Sequence, residues 1–152
     1  MLARFSKHFS KDQSGTVLVE TILVLPVLTL LTFGILEFGN MMWQRQQLQI
    51  GVRDAARYMS RCRPDFHLQD CQQAAINIAL TGRPGPSGNA RVPGWNSGGI
   101  AIFPAVPPTN PGPNDKVTVT GTTIYQGSPV FSAVLGDNVE IGHWTQMRYL
   151  GW

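Results

Sequence analysis

Charge is what this sequence has least of. Asp, Glu, Lys and Arg make up 14% of its 152 residues, where about 25% is usual for a soluble domain. The formal net charge is +3, but Arg4, Lys7 and Lys11 against Asp12 place +2 of it in the first fourteen residues. The remainder is nearly neutral. Nucleic-acid binding needs a basic patch with interleaved aromatics, and that pattern is missing, so no nucleic-acid partner is expected. Histidine is equally sparse: His8, His67 and His143 lie far apart. No Ser-His-Asp setting, metal-ligand cluster or close carboxylate pair accompanies them. The expectation is a chain that is not an enzyme and holds no metal or cofactor. "GRPGPSG" (Gly82–Gly88) is glycine-rich, yet it lacks phosphate-cradle spacing and the Lys-Ser/Thr ending.

Cysteine is nearly absent too. Cys62 and Cys71 have eight residues between them. Two cysteines are too few for the usual structural zinc set, and the spacing is not the CxxC of a redox motif. In a reducing compartment they read as two inert thiols; on an exported chain, as a small disulfide loop.

What is present is one long apolar run. Val17 to Leu36 is twenty residues with one charge, Glu20. At 1.5 Å per residue such a helix covers about 30 Å, the hydrocarbon thickness of a bilayer. Trp43 follows where an interfacial aromatic belongs. Pro26 removes one ladder hydrogen bond and kinks the helix, which membrane helices tolerate. A conventional cleaved signal is disfavoured: the core is too long, and "TFGILEFGNMMW" offers no small-x-small site. Arg4, Lys7 and Lys11 precede the run, and Arg45 and Arg53 follow it. That bias sets the N-terminus in the cytoplasm and exports the rest.

Glu20 is then the anomaly, because an unpaired carboxylate in lipid costs several kcal/mol. One reading leaves it at the membrane edge, reaching to water. The other starts from Gly15, five residues earlier. A cut after Gly15 makes Thr16 the new N-terminus, and its ammonium lies one helical turn from Glu20. Within one helix, or between two staggered ones, the carboxylate neutralises it.

"SGTVLVE" after a short basic leader resembles a class III signal, which prepilin peptidases cut after Gly on the cytoplasmic side. The longer stretch Gly15–Arg61 resembles the TadE-like pseudopilins of the tight-adherence (Tad) pilus, a branch of the type IV pilus-like machines. Glu20, "GILEFG" (Gly34–Gly39) and "DAARY" (Asp54–Tyr58) carry the likeness. The resemblance implies Gly15 before the cut, Thr16 as mature N-terminus, and Glu20 as the charge that sets stagger during assembly. It implies partners: other pilin-like subunits, a prepilin peptidase, the pilus assembly platform and the lipid membrane. It also implies a minor subunit, crossing the bacterial inner membrane once, with a periplasmic head that enters an extracellular adhesive pilus or supports its assembly. The alternative is an unprocessed, membrane-anchored periplasmic module that binds a peptide or envelope component.

The expected fold is α+β: a long N-terminal helix, membrane-spanning then amphipathic, a short second helix and a small antiparallel β head. The expected segments are a leader (1–15), the spanning helix (16–43) and an amphipathic stretch with the second helix (44–81). A Gly/Pro-rich loop region (82–115) and the β head (116–152) follow. Leu48, Val52, Ala55, Ala56 and Met59 recur on one helical face, and Arg53, Arg57 and Arg61 form another, either solvated or docked onto a neighbouring subunit's acidic groups. Asp54 with Arg57, and Tyr58 with Cys62, are spaced as helical neighbours. Glu37 stands about 25 Å along the helix from Glu20, reaching the interface or another helix. Pro64 ends the helix and Asp65 caps a second, with Cys71, Ala74, Ala75 and Ile78 at helical spacing. A Cys62–Cys71 bond would staple the two. Seven Gly and eight Pro between Gly82 and Pro113 predict loop rather than core, with Gly99–Val106 a strand inside it. "KVTVTGTTIY" (Lys116–Tyr125) alternates as a strand, and Gly121 is expected to mark a bulge or bend. Gly127–Asn138 reads as a short helix or turn. Val139–Leu150 alternates again, with Val139, Ile141, His143, Thr145 and Met147 on one side; His143 is a packed or surface histidine.

Overall fold

Apolar residues every three or four positions carry one helix through both the apolar run and the stretch beyond it. The computed structural model describes residues 14–63, 71–129, 131, 132, 136 and 138–150. Helix α1 runs Ser14–Met59, uninterrupted at Pro26, and α2 runs Cys71–Thr81. A three-stranded antiparallel sheet follows: β1 (Ile100–Phe103), β2 (Lys116–Ile124) and β3 (Glu140–Arg148), in the order β1-β2-β3. The class is α+β. By its contacts the chain divides into two units, one ending at Phe38 and one starting at Gly39. Pro64 and Asp65, expected to separate and cap the helices, lie outside the described residues.

The second unit holds the core. Leu48, Val52, Ala55, Ala56 and Met59 are all fully buried, so the face read from spacing is the face that packs. It meets Val117, Val119 and Ile141 of the sheet and Ala75 and Ala79 of α2. Arg53, Arg57 and Arg61 are exposed, as a solvated face requires. Asp54 does not pair along its own helix. It takes a 2.9 Å ion pair from Arg91, whose own N–H donates to the Leu80 carbonyl. A long-range cation wins because Arg91 is held in place by its backbone.

Two expectations hold only in part. Gly121 is not a bulge: β2 pairs one-to-one with β3 from Lys116↔Arg148 to Ile124↔Glu140. A Cβ on Gly121 would stand 2.6 Å from Val52 and 2.9 Å from the Trp95 ring. The glycine therefore lets the helix and an indole approach the sheet. The Gly/Pro-rich region is loop, as expected, from Gly82 to Asn96, but it contributes to the core: Val92 is fully buried and Trp95 is 3% exposed. The Trp95 ring also packs against Gly51 and Gly99. Three glycines, one each from α1, the 100s approach and β2, make its slot.

The β3 alternation holds. Ile141 is buried and His143, Thr145 and Met147 are half-buried, while the residues between them are exposed. Between Ser128 and Gly136 the backbone makes helical i→i−4 bonds, Ser132 N to Ser128 O and Gly136 N to Ser132 O. That turn sets Phe131 edge-on to Tyr125 with ring centres 5.4 Å apart.

Candidate functional site: the apolar half of the long helix

Fifteen Val, Leu, Ile and Phe side chains lie between Val17 and Phe38, and each is at least 45% exposed. The most apolar 18-residue window of α1 has mean hydropathy 2.2 and none of it is buried. Full burial of such a side chain is worth about 1.5–3 kcal/mol. Among the described residues no protein group supplies that burial, so the segment calls for an external apolar medium. Its length and composition fit a membrane crossing.

The polar groups of the run are arranged for such a medium. The Thr21 and Thr32 hydroxyls each donate at 2.8 Å to the carbonyl one turn back, Val17 and Leu28. Thr29 donates to the Leu25 carbonyl and, at 3.2 Å, to that of Pro26. All three hydroxyls are satisfied inside the helix, as hydrocarbon requires. Glu20 differs. It is exposed on α1, flanked by Val17, Thr21 and Val24, and no salt bridge among the described residues includes it.

Gly15 and Thr16 occupy the first turn of α1, and nothing lies within 4 Å of where a Gly15 Cβ would be. Thr16 precedes Glu20 by four residues, a rise of about 6 Å. Glu37 is half-buried further along α1. Seventeen residues make about 4.7 turns, so Glu20 and Glu37 stand on different helical faces and do not converge. Cys62 and Cys71 are joined in a disulfide with Cα atoms 6.0 Å apart. Both are buried in the core of the second unit, so the bond ties the end of α1 to the first residue of α2.

Sequence reasoning passed over a polar clamp at the start of the packed part of α1. Gln44 is 2% exposed. Its amide donates to the Gln126 carbonyl at 2.9 Å and its oxygen accepts from the Gln126 N–H at 3.4 Å. The Asn40 amide donates to the Tyr125 hydroxyl at 3.1 Å. These side chains continue the sheet's hydrogen bonding on to the helix. The available signal was Asn40 and Gln44 at i, i+4 directly after the apolar run.

Two groups of the second unit titrate abnormally. Burial, with Arg53 and Arg45 nearby, holds the His143 imidazole below its ordinary value. Burial and the Asp115 carboxylate push the Tyr149 hydroxyl up to about 12. That hydroxyl and the Trp95 indole N–H are buried with no hydrogen-bond partner among the described residues.

A family model described as "TadE-like protein" matches residues 15–57. The matched segment covers α1 from its first turn almost to its end, and it lies within the Gly15–Arg61 stretch. That segment is similar to the TadE-like family over less than a third of the chain. No curated protein matches the chain, and no solved structure does.

Proposed function

We propose that the chain is a minor pseudopilin of a Tad-type adhesive pilus, a structural subunit rather than a catalyst. Residues 16–43 anchor it in the bacterial inner membrane with the N-terminus in the cytoplasm and the head in the periplasm. A prepilin peptidase cuts after Gly15, and the mature chain then enters the pilus or supports its assembly. The partners are other pilin-like helices, the peptidase and the assembly platform. The observation that carries this reading is Glu20, the single charge between Val17 and Leu36 of an exposed apolar run, placed five residues after Gly15 in a segment similar to the TadE-like family.

The chemistry is one of compensation. Before cleavage the Thr16 nitrogen is an ordinary amide and Glu20 faces lipid without a cation. After cleavage the Thr16 ammonium lies about one turn away, and the two charges offset the several kcal/mol that each costs in hydrocarbon. In a bundle, the same ammonium can meet the Glu20 of a neighbouring helix, which fixes axial stagger.

The test is the mass of the N-terminal peptide in protein extracted from membranes of a host that carries the pilus system. It is expected to begin at Thr16, and Gly15→Ala is expected to accumulate the uncut form. Functional protein that still carries residues 1–15 would overturn the reading and leave a tethered periplasmic head.

A further inference from the structure

The two edges of the sheet are not alike. β1 is four residues long and is followed at once by Pro104, which has no N–H to offer. Short length and proline are ordinary protections of an exposed edge. The opposite edge, β3, has neither. It is nine residues long, contains no proline and pairs with β2 without a bulge. Its seven central residues, Ile141–Met147, carry no carboxylate, lysine or arginine.

The register says which backbone groups are open. Just beyond the two ends of the β2–β3 ladder, the Tyr125 N–H donates to Val139 at 2.7 Å and the Tyr149 N–H to Asp115 at 3.0 Å. Both rungs fall on odd-numbered residues of the β3 line. Antiparallel pairing alternates by two, so odd residues bond β2 and even ones turn their N–H and C=O outward. Glu140, Gly142, Trp144, Gln146 and Arg148 therefore present a row of backbone donors and acceptors. None of these has a backbone partner on that side among the described residues.

The surroundings give the row a sign and an apolar anchor. On the helix side, Arg45 and Arg53 lie close enough to His143 to act on it electrostatically. Both are exposed and neither makes an ion pair among the described residues. On the other side, the Trp144 ring is 65% exposed. A second copy does not fit as occupant. α1 runs alongside β3 in the same sense: Gln44 bonds Gln126 near the start of β3, and Ser60 bonds Leu150 beyond its end. Pairing two β3 strands antiparallel about a two-fold would set the Gln44–Ser60 stretches of the two copies antiparallel, whereas the anchoring proposed above, on which this exclusion rests, runs every copy in the same direction.

We propose that β3 is a docking edge for an extended segment of a different protein, which adds as a fourth strand. Its inward-facing side chains are acidic, against Arg45 and Arg53, and its outward-facing ones are apolar, beside Trp144. Main-chain bonds supply the affinity and the alternation supplies the selectivity. This surface is independent of leader cleavage and goes beyond the assembly role.

The test uses the full chain in detergent micelles and three capped octapeptides. One alternates Val and Glu, the second alternates Val and Lys, and the third is the Val/Glu peptide N-methylated at every second residue on its β3-facing edge. Binding is read by fluorescence anisotropy of a labelled peptide. The Val/Glu peptide is expected to bind at least tenfold tighter than either of the others, and Arg45→Glu/Arg53→Glu to remove that preference for Glu over Lys. Equal binding of the N-methylated peptide would reduce the site to a charge patch and overturn strand addition. Equal binding of the Lys peptide, or no binding of the Val/Glu peptide at millimolar concentration, would overturn the proposal as well. Because the N-methylated arm uses the unaltered protein, no folding defect of a variant can mimic either result.

Discussion

Gly121→Ala tests whether the missing Cβ is what lets Val52 and the Trp95 indole reach the sheet. The added methyl would fall 2.6 Å from the Val52 Cγ2 and 2.9 Å from the Trp95 ring. Val52 is fully buried on α1 and Trp95 is locked in the glycine-lined slot, so neither can swing to solvent. Overpacking of a well-filled core costs about 1–3 kcal/mol. Small proteins lose about 1–3 kcal/mol of stability per molar urea, so the midpoint is expected to fall on the order of 1 M. Near-UV circular dichroism of the full chain in micelles reports the tertiary packing. Val52→Ala alone should cost about 2 kcal/mol by leaving a cavity. In the double variant the new methyl occupies part of that cavity, and only the Trp95 conflict remains. The double variant should therefore be less destabilised than the sum of the singles by at least about 1 kcal/mol. Strict additivity, or a Gly121→Ala midpoint unchanged from the parent, would refute the account of why this strand carries a glycine.

Four further outcomes are expected. Tyr149→Phe removes a buried hydroxyl with no partner among the described residues, so it should leave neutral-pH stability equal or higher. The Tyr149 pKa is raised to about 12 from 10, so the native state favours the neutral phenol. That contribution is complete below pH 10 and is lost between 10 and 12, and an alkaline urea series should show this loss in the parent and not in Tyr149→Phe. The lowered pKa of His143 has the opposite sense: the native state resists protonation, so stability falls as pH drops through the ordinary histidine range near 6.5. His143→Gln should flatten that limb of the pH–stability curve, and an unchanged slope would sink the assignment. Cys62→Ser/Cys71→Ser should lower stability by about 2.5–3 kcal/mol, as expected for reopening a ten-residue loop, and dithiothreitol should have no further effect on it. Glu20→Gln should insert normally and reach the same membrane level, yet impair piliation; normal pili from that variant would remove the charge-pairing account.

How much of this was legible before the structure depended on range. The packed face of α1 was read correctly because helical spacing is local, and Leu48, Val52, Ala55, Ala56 and Met59 announce it without a partner. Strands β2 and β3 alternate in the same local way, and the single-charge apolar run needs only a count. The misreadings all involved residues whose roles are set at long range. Gly121 in a strand has two ordinary explanations, a bulge or a close approach. Only the position of Val52 and Trp95, far away in sequence, selects the second. Trp95 sits among glycines and prolines, where composition says loop. A large aromatic beside Val92 in such a stretch was the one available hint of an anchor. Asp54 had an arginine three residues on, yet its partner is Arg91, 37 residues away. The Gln44 clamp was missed because polar residues just after an apolar run look like a return to water.

That clamp bears on how one helix serves two environments. From Val17 to Phe38 apolar side chains point to every side of the helix, interrupted by Glu20, Glu37 and three threonines, and every large apolar side chain is exposed. From Leu48 onward only one face is apolar, and that face is buried against protein. Between them lie Asn40, which bonds the Tyr125 hydroxyl, and Gln44, whose amide satisfies both backbone groups of Gln126. An apolar residue at position 44 would leave the Gln126 N–H and carbonyl without these partners; Gln126 is itself exposed, so water takes their place and each lost bond costs about 0.5–1.5 kcal/mol, the net worth of an ordinary hydrogen bond. Charge there would be worse, since Gln44 is fully enclosed. A neutral side chain that both donates and accepts meets both demands. Gln44→Leu should therefore loosen the hold of α1 on the Gln126 backbone within the second unit without altering the hydropathy of residues 17–38. In native-state hydrogen exchange, the Gln126 amide should lose protection while amides of the apolar run keep theirs. Equal protection of Gln126 in both proteins would mean that the apolar core alone holds the helix, and that the polar residues between its two halves do not.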